Sequence, residues 1–306
     1  MEVESYVFVA LAAITFGLFS PWAAYVVPHT TKLLIAIFFL SALKIDFKEA
    51  ASHFQDNKRV LLVVTAWMLV VRPAVVYWLV RPFSPDLALG LMILSAMPTG
   101  MTSPLLTEIV GGKHSLALVL TVISSLLAPF SVPLMIKLLA GAAVTVSFWS
   151  MFLSLAKVIF IPFAVAQVLR LAWPKGVAKV APKFKPFSII MLGLLIAGVV
   201  ASKATDILGG LTGPFGASII ALFAVFIVYH VAGYWLAFWR DKRERVTVTV
   251  CATYLNFTLA IYLAGQFFTD QRIIMPAILS VLPWSLLMPV FQYVVKKRRL
   301  NGSAMK

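Results

Sequence analysis

Long apolar segments follow one another along almost the entire chain, and this pattern constrains the fold more than any other feature. A membrane-spanning helix needs about 20 apolar residues. Helices are the expected structure, because the backbone polar groups of a span must be satisfied without water. The pattern predicts an all-α integral membrane protein with ten spans. They lie at approximately residues 5–27, 30–45, 58–80, 86–110, 114–139, 147–172, 186–204, 214–240, 246–268 and 273–295.

The composition leaves no room for a large soluble domain. Of the 306 residues, 61% are hydrophobic and 12% are Asp, Glu, Lys or Arg, whereas a soluble domain has about 25% charged residues. The first residues, Met1–Ser5, are acidic and show no cleavage pattern, so we expect no removable signal peptide. The single cysteine, Cys251, allows no internal disulfide.

The basic residues indicate an orientation in the membrane rather than a nucleic-acid partner. The net charge is +15, and in the ten-span arrangement nearly all loop Lys and Arg residues, with the basic tail, lie on one side. The exceptions are Lys32, Arg81, Lys203 and Arg272. Cytoplasmic loops are rich in Lys and Arg, so we expect both termini in the cytoplasm and a bacterial inner (plasma) membrane as the location.

The two halves of the chain look related. The sequence Ala128–Ser131 in the fifth span is similar to Leu282–Ser285 in the tenth, and the same offset carries residues 98–104 onto residues 252–258. Five spans per half is an odd number, so the halves would have opposite orientations, as in many secondary transporters. Chance similarity is the alternative, since Pro and Ser are common in membrane helices. The two predicted repeats, within one membrane domain, are residues 1–140 and 141–306.

The fourth span contains a predicted break at mid-membrane. Pro98 and Pro104, with Gly100 between them, remove backbone donors and interrupt the helix. A second half-helix would begin near Ser103, and its free N–H groups and positive dipole end would favour an anion. A simple proline kink is the alternative.

Polar side chains are concentrated in the ninth span. A span with so many polar side chains is expected to direct them towards protein or a cavity rather than towards lipid. Helix packing through small polar residues is the alternative for the threonines more than for the asparagine. The polar residues of this span are Thr247, Thr249, Cys251, Thr253, Tyr254, Asn256 and Thr258.

Few ionisable residues lie within the spans: Arg72, Glu108 and Lys157, with Lys137 near an outer end. Charge in the bilayer is costly, so each is a functional candidate, with snorkelling to an interface as the alternative. The four histidines show no ligand spacing, and no hydrolase, metalloprotease or phosphate-loop motif occurs. We therefore expect no enzyme, no cofactor and no metal site.

Two motifs resemble the bile acid:sodium symporter family. Residues 98–104 (PTGMTSP) and 121–129 (TVISSLLAP) are similar, without a gap between them, to that family's fourth-helix motif and the run that follows it. Leu40–Phe47 and Asn256 with Leu259-Ala260 are also similar. The resemblance implies two inverted five-helix repeats. It also implies broken helices four and nine that cross in a core domain beside a panel domain, with organic anions entering between the two domains.

The family's sodium ligands are largely replaced in this chain. The resemblance places its Glu, Gln, Asn and Ser ligands on residues without a side-chain oxygen. Sodium prefers oxygen ligands, so we expect transport to depend little on sodium. The replaced positions are Met68, Pro104, Ala117, Cys251 and Leu255. The remaining ion-site candidates are Thr121, Ser103 and Cys251.

These observations predict a secondary transporter that moves a small organic anion, a carboxylate or a bile-acid-like molecule, by alternating access. The expected partners are this anion and the lipid bilayer, without nucleic acid. A sodium-independent exporter or exchanger of the same superfamily and a transport-dead anion sensor are the alternatives. The sequence leaves open the substrate's identity, the direction and the oligomeric state. The substrate-binding candidates are Thr99, Gly100, Thr102, Ser103, Thr253, Asn256 and Arg72.

Arg72 leads to a specific hypothesis about the role of its positive charge. It follows Met68 by one helical turn, so both side chains share a face, and its guanidinium is permanently charged. We expect it to reach the crossing, donate to freed carbonyls and hold positive charge where the family holds sodium. Snorkelling, or pairing with Glu108, is the alternative.

Overall fold

The computed structural model describes residues 2–45, 54–141, 146–210 and 214–303. In its first half the helices are α1 (Glu2–Phe19), α2 (Thr30–Ala42), α3 (Phe54–Ala66), α4 (Arg72–Val80), α5 (Pro85–Ser95), α6 (Ser103–Ile109) and α7 (His114–Ala140). A 3-10 segment, Pro21–His29, precedes α2, and a π-helical turn, Trp67–Val71, joins α3 to α4.

The remaining helices follow from residue 148 onwards. Its helices are α8 (Phe148–Ala172), α9 (Pro174–Ser202), α10 (Ala204–Gly210), α11 (Pro214–Leu236), α12 (Lys242–Thr253), α13 (Phe257–Phe267), α14 (Gln271–Leu279) and α15 (Val281–Ser303). The part of the chain that is described has no β-strand, and one isolated β-bridge joins Thr99 to Leu255. The predicted all-α class is confirmed.

Several helices are long and apolar enough to cross a membrane. Six stretches among the described residues meet this description, and a seventh is the bent helix pair within α9. The predicted integral membrane protein is therefore confirmed at this level. The six stretches are Pro21–Ala42, Asn57–Val80, His114–Ala140, Phe148–Ala172, Ser218–Leu236 and Gln271–Lys297.

Two pairs of shorter helices are separated by breaks inside the protein. Helix α5 ends at Ser95 and α6 begins at Ser103, which places Pro104 in the first turn of α6, where a proline costs no hydrogen bond. Helix α12 ends at Thr253 and α13 begins at Phe257, and the Asn256 side chain caps α13 by accepting a hydrogen bond from the N–H of Leu259. Both breaks lie where the sequence predicts them.

The helices form two packed groups. We call α1, α2, α8 and α9 the small helix group and α3–α7 with α11–α15 the large helix group; the two groups meet mainly where α7 packs against α8 and α15 against α1. Small residues allow close contact within each group. A Cβ added at Gly90 of α5 would lie 2.6 Å from the carbonyl oxygen of Ile273 in α14, and one added at Gly17 of α1 would lie 2.6 Å from that of Ala197 in α9.

Candidate functional site

The two helix breaks lie against each other and satisfy each other's backbone groups. The N–H of Gly100 donates to the carbonyl of Tyr254 at 2.8 Å, and the N–H of Asn256 donates to the carbonyl of Pro98 at 2.9 Å. These bonds form the bridge between Thr99 and Leu255. We call this meeting point of the two helix breaks the crossing. Backbone groups that each break removes from its own helix therefore find partners in the other break, which is a requirement in a water-free interior.

Gly100 is required here for close approach. A Cβ at this position would lie 2.8 Å from the carbonyl oxygen of Tyr254 and 3.1 Å from that of Leu255. Any larger residue would push the two breaks apart.

Three of the predicted site residues are fully buried at the breaks, and two of them, Thr99 and Ser103, hold the breaks together by hydrogen bonds. The Thr99 hydroxyl lies 3.1 Å from the carbonyl oxygen of Cys251 and 3.4 Å from the sulfur of Met68, and the Ser103 hydroxyl donates to the carbonyl of Tyr254 at 3.2 Å. Thr253 is equally buried, and its hydroxyl has no hydrogen-bond partner. None of the three lines the cavity described below.

Arg72 is fully buried at the crossing, with a side-chain exposure of 1%. Its Nε donates to the carbonyl of Ser95 at 2.8 Å, and its Nη2 to the carbonyl of Met97 at 2.9 Å. Its Nη1 donates to the carbonyl of Ala252 at 2.5 Å. The guanidinium thus ties the first break to the second across 180 residues of chain.

The surroundings of the guanidinium are aromatic and polar but contain no carboxylate partner. Its central carbon lies 5.1 Å from the ring centre of Tyr229, whose hydroxyl is 2.5 Å from that of Ser95. The ion pairs of the described residues do not include Arg72. The alternative pairing with Glu108 is wrong, because Glu108 is exposed and its carboxylate lies 3.7 Å from the ring of His114.

A cavity of about 300 Å³ lies between the two helix groups and reaches the crossing. Of the predicted site residues, Gly100, Thr102 and Asn256 line it, whereas Arg72 lies behind its wall. Lys44, just after the end of α2, and His114, at the beginning of α7, are the exposed residues of its lining, so this end is the mouth of the cavity. Much of the remaining wall is apolar and includes Ile37, Phe38, Leu105, Leu118, Leu192, Phe257 and Trp284.

Asn256 presents a hydrogen-bond donor to this cavity. Its Oδ1 accepts from the hydroxyl of Thr258 at 2.7 Å and from the N–H of Leu259 at 3.1 Å. The N–H of Leu259 can only donate, so it determines which amide atom is the oxygen. The Nδ2 group makes no hydrogen bond to a described residue, although only 5% of the residue is exposed. The free donor and the N-terminus of α13 therefore face the same space.

The predicted ion-site residues do not form a group of free oxygen ligands. The hydroxyl of Thr121 donates to the carbonyl of Ala117 at 2.8 Å, that of Ser103 is directed to Tyr254, and Cys251 is a buried thiol. In the described ranges, no three His, Cys, Asp or Glu side chains lie close enough to share a metal ion. Lys157 is exposed on the outer surface of α8, away from the crossing.

Charged side chains join the two halves at the cavity mouth. The ammonium of Lys113 lies 2.8 Å from the carboxylate of Asp241 and 2.7 Å from that of Glu244, which also pairs with Arg240. Hydrogen bonds to Asp241 and Glu244 raise the pKa of Lys113. The pKa of Asp241 is lowered although partial burial opposes this, because the bond from Lys113 favours the carboxylate. These pairs connect the loop before α7 to the beginning of α12.

Sequence reasoning missed several residues of the site. Trp284 appeared only as part of a repeated motif, Lys44 only among the basic loop residues, and His114 only among the four histidines without ligand spacing. No local signal places them beside Asn256, because they come from three different helices. The proline next to Trp284 and the matching position of Pro129 are the one hint that the sequence offers.

Two interrupted helices whose breaks meet beside a cavity are typical of membrane transporters. The chain belongs to the Sodium Bile acid symporter family, whose model matches residues 31–209. It is therefore a homologue of membrane transporters, as predicted.

Individual relatives are distant. The chain is 26% identical over 228 residues to the uncharacterized sodium-dependent transporter YocS of Bacillus subtilis, covering 72% of this chain and 68% of that protein. It is 25% identical over 248 residues to sodium/bile acid cotransporter 7 of Danio rerio, covering 74% and 70%. It is 26% identical over 200 residues to the probable chloroplastic sodium/metabolite cotransporter BASS2 of Oryza sativa subsp. japonica, covering 65% and 47%.

Proposed function

We propose that this protein is a secondary transporter that moves a small organic anion by alternating access through the cavity at the crossing. The observation that carries the proposal is the Asn256 amide, which offers an unpaired donor to a cavity whose other walls are mostly apolar. A carboxylate accepts such a hydrogen bond and places its apolar body against Phe38 and Trp284. A cavity of about 300 Å³ suits a small carboxylate.

The proposed architecture has ten spans in two inverted repeats, residues 1–140 and 141–306. The seven apolar stretches, together with α1 and the two interrupted pairs α5–α6 and α12–α13, support this count. The small helix group is the proposed panel domain, and the large helix group is the proposed core domain. Movement of the core against the panel would expose the crossing to either side in turn.

The structure is in the inward-facing state under this proposal. The cavity opens at the end that carries Lys44 and the ion pairs around Lys113, which is the side with the basic loops. Basic loops face the cytoplasm, so both termini are assigned to the cytoplasmic side of a bacterial inner membrane. The positive charge of Lys44 at the mouth favours the entry of an anion.

The binding residues proposed for the substrate are Gly100, Thr102 and Asn256, which line the cavity. Thr99, Ser103, Thr253 and Arg72 support them from behind the wall, as do Thr121 and Cys251. A sodium-independent exporter or exchanger is the second candidate. It is favoured because Met68 and Cys251, at two positions of the family's sodium ligands, carry sulfur rather than oxygen.

The test measures binding and flux separately. The purified protein is heated with a panel of sodium-free monocarboxylate and dicarboxylate salts, and a ligand raises the unfolding temperature by mass action. Salts that bind are then followed as radiolabelled compounds into proteoliposomes. We expect at least one carboxylate to stabilise the protein and to cross the membrane. Its amide or alcohol analogue should do neither.

Asn256→Asp is the matched variant for this experiment. An aspartate retains an oxygen that caps α13 but replaces the donor with a negative charge. We expect unchanged folding and at least a tenfold weaker response to the carboxylate, which corresponds to a loss of about 1.4 kcal/mol. Binding without flux in the wild type would instead identify a sensor. Equal binding by wild type and Asn256→Asp would show that the cavity is not the binding site.

A further inference from the structure

Arg72 lies between the C-terminal ends of two half-helices. Its partners Ser95 and Met97 are at and just beyond the end of α5, and its partner Ala252 is one residue before the end of α12. The last carbonyls of a helix have no intrahelical partner, and this end carries the negative part of the helix dipole. Both half-helices therefore direct partial negative charge at the guanidinium.

This is the position that a cation occupies in transporters built from broken helices. In such transporters, half-helix N-termini face the anionic substrate, while unwound carbonyls and half-helix C-termini coordinate the coupling cation. Here the N-terminus of α13 faces the cavity, and the C-termini of α5 and α12 face Arg72. The guanidinium is covalently attached, so its positive charge at this position does not depend on an ion in solution.

The local backbone provides the space for this side chain. The π-helical turn Trp67–Val71 comes directly before Arg72, and the N–H of Arg72 donates to the carbonyl of Trp67. A π-turn inserts an extra residue into the helix and is frequent at functional sites. It rotates Arg72 relative to a regular helix, and Pro73 follows at the beginning of α4.

We propose that Arg72 is a built-in replacement for the coupling cation: it holds the two breaks together and supplies the fixed positive charge behind the anion site, so the protein needs no sodium at the crossing. This inference rests on the proposed anion transport for its purpose, but its test uses no organic anion. Arg72 is a positioning residue, because it contacts the walls of the crossing rather than the cavity.

The first measurement is the unfolding temperature of the purified full-length protein in sodium, potassium and choline chloride at equal ionic strength. The unfolding temperature of the wild type should agree within about 1 °C in all three salts, because we expect no sodium ion to bind. A bound sodium ion would raise the unfolding temperature by mass action. A saturable rise that is specific for sodium in the wild type would overturn the proposal.

The second measurement separates charge from hydrogen bonding by chemical rescue. Arg72→Ala removes the guanidinium and should lower the unfolding temperature. Millimolar guanidinium chloride, far below denaturing concentrations, should restore it by about 3 °C or more. Urea is the neutral control, since it has nearly the same shape and four N–H donors. Equal rescue by urea would show that hydrogen bonds alone matter and would overturn the proposal.

The third measurement restores an oxygen ligand. The pair Arg72→Gln, Met68→Gln offers side-chain oxygens and no fixed charge, and we expect a sodium-specific rise of about 3 °C or more. Arg245→Ala is the matched control: Arg245 also donates to a carbonyl, that of Tyr234 at 3.0 Å, but away from the crossing. It should show no sodium response. If Arg72→Ala cannot be purified, the wild-type salt comparison and the variant Arg72→Lys still decide the question. Arg72→Lys keeps a fixed positive charge, so its unfolding temperature should be the same in all three salts.

Discussion

The hydroxyl groups of Ser154 and Tyr262 lie 2.6 Å apart and join the small helix group to the large one. Ser154 is on α8, and Tyr262 is on α13. Helix α12 begins at the cavity mouth beside Lys113, so α13, which continues beyond the crossing, leads to the opposite end. The hydrogen bond therefore closes the side of the protein that the cavity does not reach.

Tyr262→Phe should favour the opposite state of the transporter. The substitution removes one hydrogen bond worth about 1 kcal/mol, which shifts a two-state population about fivefold. The measurement is the rate at which a cysteine introduced at Thr102 reacts with a maleimide from the cytoplasmic side, and we expect a slower reaction in Tyr262→Phe. The native Cys251 is buried and contributes little background.

Ser154→Ala is the control for this prediction. It removes the same hydrogen bond from the other side, so both single variants and the double variant should react at similar rates. Additive effects in the double variant would show that the two hydroxyls act independently.

Gly100→Ala should disrupt the crossing. Its Cβ would lie 2.8 Å from the carbonyl oxygen of Tyr254, and the neighbouring atoms are backbone that cannot rotate away. We expect a loss of about 1–3 kcal/mol in the free energy of unfolding and loss of carboxylate binding. Gly265→Ala is the matched control in α13, where the added Cβ would meet no described atom within 4 Å apart from the nearby backbone of its own helix. It should leave stability unchanged or raise it slightly. Equal effects at both positions would contradict the role of close approach.

Thr253→Val should stabilise the protein. The Thr253 hydroxyl is buried without a hydrogen-bond partner, and valine has nearly the same shape without the polar atom. We expect a gain of about 1 kcal/mol, measured as a higher unfolding temperature, together with an unchanged response to carboxylates. A weaker carboxylate response would show that Thr253 contacts the substrate after all.

The ion pair of Lys113 and Asp241 at the cavity mouth should contribute the same stability over a broad pH range. The raised pKa of Lys113 gives a contribution that is complete below its unfolded value of 10.5 and is lost as pH rises through the folded pKa. The lowered pKa of Asp241 gives a contribution that is complete above its unfolded value of 3.8 and is lost as pH falls through the folded pKa. Both contributions are therefore present between about pH 5 and pH 9.

Lys113→Met tests this network. Lys113 and Asp241 are partly exposed, with side-chain exposures of 36% and 54%, so solvent screens the pair and we expect a loss of only about 1 kcal/mol. The unfolding temperature is measured from pH 5 to pH 9, and the variant should run parallel to the wild type. Arg240→Met should cost more, because Arg240 donates two hydrogen bonds to the buried carboxylate of Glu244 and one to Asn57. A larger loss of stability in Lys113→Met than in Arg240→Met would contradict the interpretation of Arg240 as the principal partner of Glu244.

The sequence by itself determined the features that depend on local chain properties. Apolar runs predict membrane helices because each span must satisfy its own backbone. Pro98 and Pro104 predict the first break because proline lacks the backbone N–H donor whatever the tertiary structure is. Asn256 directly precedes α13 and caps it by accepting from the N–H of Leu259, three residues further along the chain, so its role is also local.

Only the tertiary structure decided which groups form hydrogen bonds with the backbone groups left free at these breaks. The charge of Arg72 is evident in the sequence, but its carbonyl partners at Met97 and Ala252 lie 25 and 180 residues away. The cavity likewise combines Lys44, Asn256 and Trp284 from separate helices. The physical reason is that a broken helix leaves carbonyl and N–H groups without partners, while helix packing alone selects the donor or acceptor that reaches them.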